Sequence, residues 1–447
     1  MLSLDNIKIE VECQGFKAGE IEISPEKDKS ILVLESTRRT EDVRCQFCRG
    51  NVYIHGQNIT YLSDIPIWYG IPLQYMIIGH RYKCLKCCKT FVEEVPFRYP
   101  GTRVTIRAAN WIKGYLKNKL SIRAIQALTG IHWETIRNIQ RKYMKEQIEA
   151  REQELKKEDY KPKYLAVDEF AIHKGHSYAT SVMDLETGDV IWVGKGRALV
   201  DFKKFFEETD PSVLSAVIAV AMDMNASYNK LFTKYLPNAE IVYDRYHMQA
   251  QFGKEVLGVV RLEEARKHKL QSKEILNSIT DEMEKDDRRK LKSESKTQSQ
   301  EYSKLKKSRW TLLMNSDKLS ERRAANLSEI LENHHDLAVC YAMKEQMCEL
   351  FKLTERSVAE EKWIQWFKAA KESEIPALVN FARLKEKRLP GLIAHASYPI
   401  STGKLEGFNN KIKVAKRIGY GYRDEDYFFL LVRFISLPSS RSFHTFP

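Results

Sequence analysis

The spacing of apolar and polar residues changes along the chain, and each change predicts a different kind of element. Residues 1–10 fit an ordinary strand, and up to about residue 100 short alternating segments are separated by turns, which is typical of a small β-rich module. From Thr102 to about Lys142 apolar positions recur at helical spacing, and a charged helical linker continues to residues 160–163. We therefore predict a β-rich module followed by a helical one.

The period changes again at Tyr164. Residues 164–168, 177–184 and 190–194 fit three strands, and residues 186–189 supply a tight turn between the last two. A helix over 200–208, a buried strand over 216–222, a helix over 227–235 and a strand over 241–243 follow. This is the order of a ribonuclease-H-like sheet, in which the first and fourth strands are neighbours.

The stretch from about residue 247 to 389 carries no strand pattern and is rich in charged residues and leucine, which predicts an all-helical insertion. Its candidate core anchors are Trp310, Trp363 and Trp366. A helix resumes at about residue 402, with an apolar side formed by Leu405, Phe408 and Ile412.

Composition agrees with several folded domains and a polyanionic partner. The 447 residues are 43% hydrophobic and 30% charged, which is globular, and the length predicts roughly two to four domains. The net charge of +13 suits nucleic acid, because Lys and Arg that neutralise phosphates release condensed counterions. Residues 1–10 lack the features of a secretory signal, and the apolar run at 427–437 is too short for a bilayer. We expect a soluble, cytoplasmic protein without a membrane partner.

Two Cys-x-x-Cys pairs, Cys45/Cys48 and Cys84/Cys87, have the spacing that lets four thiolates bind one tetrahedral Zn²⁺. Such a closed shell is structural, and the 35 residues between the pairs predict a hairpin excursion. Cys88 is an alternative to Cys87 as fourth ligand, and buried free cysteines are the alternative to the site as a whole. The remaining cysteines, expected in the core, are Cys13, Cys340 and Cys348.

Residues 121–139 fit two short helices joined at Gly130, the second running from about Trp133 to near Tyr143. In a helix-turn-helix the second helix enters the major groove of DNA. The alternative is an αα-hairpin that only packs, but the cysteine module and the basic charge favour DNA. The candidate DNA contacts are Arg123, His132, Glu134, Thr135, Arg137 and Asn138.

Three acids carry the candidate chemistry. Asp168 and Asp223 each end an apolar strand, and Glu406 lies in a helix rich in Lys and Asn. Acids at the carboxyl ends of neighbouring strands can share a divalent metal, and oxygen ligands suit Mg²⁺ or Mn²⁺. Cations held in this way activate water or a 3′-hydroxyl for in-line displacement at phosphorus. Each acid alone fits a solvated charge, so the hypothesis depends on their convergence.

Asp244 and His247 directly follow the last predicted strand. Spacing alone leaves two interpretations, a helix cap with a packed histidine or a catalytic pair. Glu169 is expected on the opposite face of its strand from Asp168.

A basic segment just after Glu406, interleaved with Tyr420 and Tyr422, is either a solvated face or a contact for the DNA backbone. Its members are Lys411, Lys413, Lys416, Arg417 and Arg423.

With these motifs the chain resembles the DDE transposases of bacterial insertion sequences, in particular the ISL-three family, over nearly its whole length. The matching segments are 167–170, 222–224 with Tyr228 and 237–240, 244–247, 402–411 and 416–422. The resemblance implies that Asp168, Asp223 and Glu406 hold the catalytic Mg²⁺ (or Mn²⁺), and it strengthens a core role for Asp244 and His247. It also favours Cys87 as the zinc ligand, because a glycine is more usual at the next position.

The implied architecture is multidomain α+β. It comprises a zinc-ribbon module (1–100), a helix-turn-helix domain with its linker (101–160), a ribonuclease-H-like α/β core (161–247 and 399–447) and an all-helical insertion (248–398).

The implied activity is cleavage at transposon ends by water and strand transfer by the freed 3′-hydroxyl. The partners would be double-stranded DNA, as terminal inverted repeats and target, and a second copy of the chain in a homodimer. Rival hypotheses are a catalytically silent regulator that binds specific DNA and a structure-specific nuclease such as a junction resolvase.

Overall fold

The computed structural model describes residues 15–23, 29–67, 71–118, 120–173, 177–314, 316–419 and 421–438, so the strand predicted at residues 1–10 lies outside the described residues. The chain forms two compact units. The first comprises the described residues up to Gln153 together with Ala415–Phe434, and the second comprises Glu154–Val414 with the described residues from Ile435. No helix among the described residues is both long and apolar enough to cross a membrane.

The first unit begins with a mixed sheet in the order β1-β2-β4-β3, with β5 paired to β4. The strands are β1 Phe16–Ile23, β2 Ser30–Ser36, β3 Val52–Ile67, β4 Ile71–Cys84 and β5 Thr90–Val92. Alternate residues of β4 are buried, which packs Leu73, Tyr75 and Ile77 with Leu34 and Leu62. The antiparallel pairing of β3 with β4 confirms the predicted hairpin between the cysteine pairs.

Helices follow the sheet in the first unit. They are α1 Ile106–Lys117, α2 Ile122–Thr129 and α3 Trp133–Lys157, and α17 Glu425–Ser436 is formed at the far end of the chain. Ser121 caps α2 through a hydrogen bond from the N–H of Ala124, and Gly130 ends it in the left-handed conformation at φ 68°. The two helices and their turn are confirmed, although α3 extends well beyond Tyr143.

The second unit contains a five-stranded sheet in the order β10-β9-β6-β7-β8. Its strands are β6 Tyr164–Ala171, β7 Tyr178–Asp184, β8 Val190–Lys195, β9 Ala219–Met222 and β10 Glu240–Tyr243. β6, β7 and β8 pair antiparallel, whereas β6–β9 and β9–β10 are parallel. The expected adjacency of β6 and β9 is confirmed. The helices between these strands are α4 Leu199–Glu208, α5 Pro211–Leu214 and α6 Ala226–Tyr235.

A long helical segment follows β10, and no strand occurs among its described residues up to 418. Its helices are α7 Arg245–Phe252, α8 Gly258–Asn277, α9 Lys285–Lys307, α10 Arg309–Leu313, α11 Glu321–Asn333, α12 His335–Leu350, α13 Arg356–Glu372, α14 Pro376–Glu386, α15 Leu389–Ser397 and α16 Gly403–Ile418. Helix α15 lies close against β10, because a Cβ at Gly391 would meet the Tyr243 ring at 2.4 Å. The all-helical interpretation is therefore confirmed for this segment.

Two of the three predicted tryptophan anchors of this segment are buried. Trp363 and Trp366 are 1% and 3% exposed in the core of the second unit, where Trp363 stacks on Phe367 and Trp366 contacts the same ring edge-on. Trp310 as an anchor is wrong, because it is 65% exposed, with the Arg309 guanidinium over its indole at 5.2 Å. Its neighbours on α10 take the buried positions instead.

Candidate functional site

Four cysteine sulfurs converge at the end of the β3–β4 hairpin. The Sγ atoms of Cys45 and Cys87 are 3.6 Å apart, those of Cys48 and Cys84 are 3.5 Å apart, and all four lie within 4.8 Å of one another. Zn–S bonds of about 2.3 Å in a tetrahedron require S···S separations of about 3.8 Å. These separations are close to that value, so this group of four thiols could bind one tetrahedral Zn²⁺.

Backbone N–H groups of the turn after β4 stabilise a thiolate. The backbone N–H groups of Cys87 and Lys86 point at Cys84 Sγ and lower the pKa of that thiol to about 6. Cys88 is exposed with φ 56°, a conformation that favours glycine, and it is not part of the cluster. Cys87 is thus the fourth member. As expected, Cys340 is fully buried in the core; Cys348 is half-buried, and Cys13 lies outside the described residues.

Asp168 and Asp223 occupy equivalent positions along two neighbouring parallel strands. Ala166 of β6 pairs with Ala221 of β9 in parallel register, and each acid comes two residues later. Because neighbouring strands lie about 4.8 Å apart, this register places both acids together near one edge of the sheet. Asp223 directly follows β9, but β6 continues to Ala171, so the prediction that Asp168 ends its strand is wrong. Asp168 and Asp223 are thus brought together on the side of the sheet where open α/β folds bind ligands.

The two carboxylates have different surroundings. Asp168 Oδ1 accepts from the N–H of Glu169 at 2.8 Å, and Asp168 Oδ2 accepts from Asn409 Nδ2 at 2.8 Å. The Asp223 side chain is 44% exposed, and its Oδ2 lies 3.8 Å from His247 Nδ1. Glu169 points away from this edge, as expected, and accepts from the Tyr228 hydroxyl of α6 at 3.0 Å.

Glu406 lies on α16, which is held against the sheet at several points. Its side chain is exposed, and Asn409 comes one helical turn later on the same helix face. Lys404 Nζ donates to the carbonyl oxygen of Leu185 at 2.5 Å. The predicted apolar side of α16 is confirmed, since Leu405, Phe408 and Ile412 are buried.

Asp244 holds the start of α16. It is 2% exposed, and its Oδ1 caps α7 by accepting from the N–H groups of Tyr246 at 2.7 Å and His247 at 3.3 Å. Its Oδ2 accepts from both the N–H and the hydroxyl of Thr402, each at 2.7 Å. Asp244 therefore caps α7 as one of the two interpretations predicted, whereas His247 is half-buried beside Asp223 and not packed in the core. The bond to Thr402 adds a link that spacing did not indicate.

Electrostatics distinguish these acids. Burial raises the pKa of Asp168 above its usual value, and the charges of Glu169 and Asp223 act in the same direction. Burial alone would also raise the pKa of Asp244, but the hydrogen bonds from Thr402 and Tyr246 outweigh it and leave that pKa low. A cation beside Asp168 would relieve its unfavourable charge.

The three acids are not gathered as closely as the cysteines. Among the described residues, the four cysteines alone form a group of three or more metal-ligand side chains with their atoms within 4.8 Å. Asp168 and Asp223 share a sheet edge, and Glu406 is joined to that edge through Asn409 and α16. The carboxylate oxygens of the three acids therefore do not all lie within 4.8 Å of one another in the described structure.

The helical segment adds basic residues that the sequence did not single out. Lys385 at the end of α14 is near enough to Asp223 and Glu255 for their charges to favour its protonated form, although burial lowers its pKa overall. Arg388 donates to the Tyr243 hydroxyl at 3.5 Å and lines a pocket with Lys230 and Lys234, which belong to α6. In a segment with many lysines, no sequence pattern marks these few.

The residues predicted to contact DNA lie mostly on the surface. In the first unit the exposed ones are Arg123, His132, Glu134, Asn138, Arg417 and Arg423, and the half-buried ones are Thr135, Arg137 and Lys416. In the second unit Lys411 and Lys413 are exposed. Tyr420 lies outside the described residues, and Tyr422 stacks on Phe428.

Arg137 already has partners within the first unit. Its guanidinium pairs with Asp424 at 2.5 Å and lies over the Tyr427 ring at 4.8 Å, and Arg141 pairs with the same carboxylate at 3.3 Å. The carboxylate of Asp424 therefore partly neutralises two arginines of α3.

Known proteins are similar in sequence to this chain over part or most of its length. The model of the ISL-three DDE family, described as a transposase, matches residues 165–432. The transposase of insertion sequence element IS1001 from Bordetella parapertussis is 30% identical over 426 residues, covering 94% of this chain and 95% of that protein. The transposase of IS1557 from Mycobacterium tuberculosis, in strains CDC 1551 and H37Rv, is 27% identical over 263 residues, covering 58% of this chain and 56% of its own length.

The chain therefore belongs to the ISL-three family of insertion-sequence DDE transposases, a class of proteins that act on DNA with divalent metal ions.

Proposed function

We propose that this chain is an active transposase that cleaves DNA at the ends of its element and joins the freed 3′-hydroxyl to target DNA, with Asp168, Asp223 and Glu406 as its catalytic residues. The observation that carries the proposal is the parallel register of β6 and β9, which places two of these acids at one sheet edge. The bond from Asn409 to Asp168 brings the helix of the third acid to that edge.

The strand order of the second unit supports a ribonuclease-H-like core. Three antiparallel strands are continued by two parallel ones, in the order β10-β9-β6-β7-β8. On this proposal the core consists of residues 161–247 and 399–447, and residues 248–398 form the insertion.

Mg²⁺ or Mn²⁺, when bound, would activate the attacking hydroxyl and stabilise the leaving oxygen of the phosphodiester. The protein contributes the placement of its own groups. Asp168 and Asp223 supply carboxylate oxygens, and His247 contacts Asp223 from the first turn of α7. Asp244 acts as a positioning residue, because it fixes the residue that precedes α16.

The first unit is proposed to recognise the element's ends. A Zn²⁺ held by Cys45, Cys48, Cys84 and Cys87 would stabilise the hairpin, and α3 would enter the major groove. The exposed basic residues after Glu406 would contact phosphates. Two copies of the chain, bound to terminal inverted repeats, would join both ends.

A nicking assay tests the proposal. The probe is a supercoiled plasmid carrying the gene with its genomic flanks, incubated with Mg²⁺. Wild type is expected to nick the plasmid at the element's ends, and Asp168→Ala, Asp223→Ala and Glu406→Ala are expected to bind it equally well without nicking. The matched control is Glu282→Ala, an exposed acid of the insertion, which should nick like wild type.

Two results would contradict the proposal. Nicking by Asp223→Ala would remove the acid site from the mechanism. Sequence-specific binding by wild type with no Mg²⁺-dependent nicking would instead support a DNA-binding regulator.

A further inference from the structure

A buried carboxamide lies beside the first acid of the proposed site. Asn409 is 8% exposed, and its Nδ2 donates to Asp168 Oδ2 at 2.8 Å. An ionised carboxylate can only accept hydrogen bonds, so Asp168 determines which end of the amide faces it. The other end, Oδ1, is buried and has no hydrogen-bond partner among the described residues.

An acceptor buried without a donor is unfavourable, and buried polar atoms in proteins nearly always have a partner. A leucine of similar size at this position would avoid the problem while keeping the packing of α16. The orphaned oxygen therefore points to a donor that the chain itself does not supply.

A hydrated divalent cation brings such donors. Mg²⁺ keeps several of its water molecules when it binds to one or two carboxylates, and each water is a hydrogen-bond donor. Side chains that bond to a metal ligand commonly orient it, and they influence metal affinity without touching the ion. Asn409 meets both requirements for such a role, because its Nδ2 bonds to the carboxylate of Asp168 and its Oδ1 is an acceptor without a donor among the described residues.

We propose that Asn409 is a positioning residue of the metal site, which orients Asp168 through Nδ2 and accepts a hydrogen bond from a water of the hydrated cation through Oδ1. This inference rests on the proposed function, since it needs a cation at Asp168. Glu406 lies one turn away on α16, so the same bond to Asp168 also sets where Glu406 can reach.

Binding of Mn²⁺ alone, without DNA, tests the proposal. Zinc-loaded full-length protein, dialysed free of other metals, is titrated with Mn²⁺ and bound ion is followed by electron paramagnetic resonance. Asn409→Leu should lower Mn²⁺ affinity by about 10- to 100-fold, the usual loss when such a partner is removed. The matched control is Asn410→Leu, because Asn410 is exposed and its amide oxygen accepts from Lys413 at 3.1 Å. That variant should bind Mn²⁺ like wild type.

A second variant keeps the test decisive if Asn409→Leu does not fold. Asn409→Asp places a second carboxylate against Asp168, so the metal-free protein should melt at a lower temperature than wild type. Mn²⁺ should restore the loss, giving a larger metal-induced rise in melting temperature than in wild type. An equal or smaller rise would overturn the proposal.

Failure of this inference and failure of the proposed function give different results. Wild-type Mn²⁺ affinity in Asn409→Leu, with affinity lost in Asp168→Ala, would overturn the role of Asn409 alone. Wild-type affinity in both variants would overturn the metal site itself.

Discussion

The link between Asp244 and Thr402 is expected to control how firmly the helix of Glu406 is held. Thr402→Val removes the hydroxyl that donates to Asp244 at 2.7 Å and leaves the side chain's volume nearly unchanged. A hydrogen bond to a charged group contributes about 1.5–3 kcal/mol. Because about 1.4 kcal/mol corresponds to a tenfold change in an equilibrium, the first turn of α16 should open about 10 to 150 times more often.

Hydrogen exchange measures this opening directly. The amide of Glu406 bonds to the carbonyl of Thr402 at 2.8 Å, so its exchange rate reports the first turn of α16. We expect faster exchange there in Thr402→Val and little change in helices remote from it, such as α12. Thr402→Ser, which keeps the hydroxyl, is the matched control, and it should lower the free energy of opening of this turn by less than about 1 kcal/mol. Unchanged exchange at Glu406 in Thr402→Val would refute the reasoning.

The same link predicts a pH dependence. The pKa of Asp244 is lower in the folded protein than its usual value of about 3.9, so its stabilising effect is present above that pH and is lost as pH falls through the lower folded value. Asp244→Asn places an amide against the N–H of Thr402, so the two bonds from Thr402 to a charged carboxylate are lost. We expect this change to lower the free energy of unfolding by about 3–5 kcal/mol at neutral pH. The difference from wild type should shrink below about pH 4. A difference that is constant with pH would contradict this account.

Further predictions concern other parts of the chain. Cys87→Ser should release zinc and lower the melting temperature, whereas Cys88→Ser should retain one zinc per chain, as measured by atomic absorption. Trp366→Ala should lower the free energy of unfolding by about 3–5 kcal/mol, because the indole is buried, whereas Trp310→Ala should lower it by less than about 0.5 kcal/mol. Urea unfolding measures both, and equal losses would contradict the packing described. Asp424→Ala frees the two arginines of α3 and should steepen the salt dependence of duplex DNA binding by about one counterion for each arginine that then contacts phosphate; an unchanged slope would remove both from the interface.

Local patterns were sufficient where a strand or helix buries a regular face. The adjacency of β6 and β9 follows from the order of elements, and the apolar spacing on α16 correctly marks its buried side. The spacing of the cysteine pairs correctly predicts that they converge, because the chain between them forms one antiparallel hairpin.

Contacts between distant residues could not be predicted in this way. Arg137 and Asp424 are 287 residues apart, and nothing in either segment indicates that they pair. Asn409 is one of several polar residues on α16, and only its position against Asp168 distinguishes it. Trp310 shows the opposite error, since a tryptophan in a helical pattern favours burial but the short α10 turns it outward.

Anomalous diffraction from Mn²⁺ in crystals of the zinc-loaded protein with its end DNA tests the central claim most directly. The account predicts a manganese peak bonded to carboxylate oxygens of Asp168, Asp223 and Glu406. A DNA-bound structure in which manganese occupies another site, or in which Glu406 is directed away from both aspartates, would contradict it.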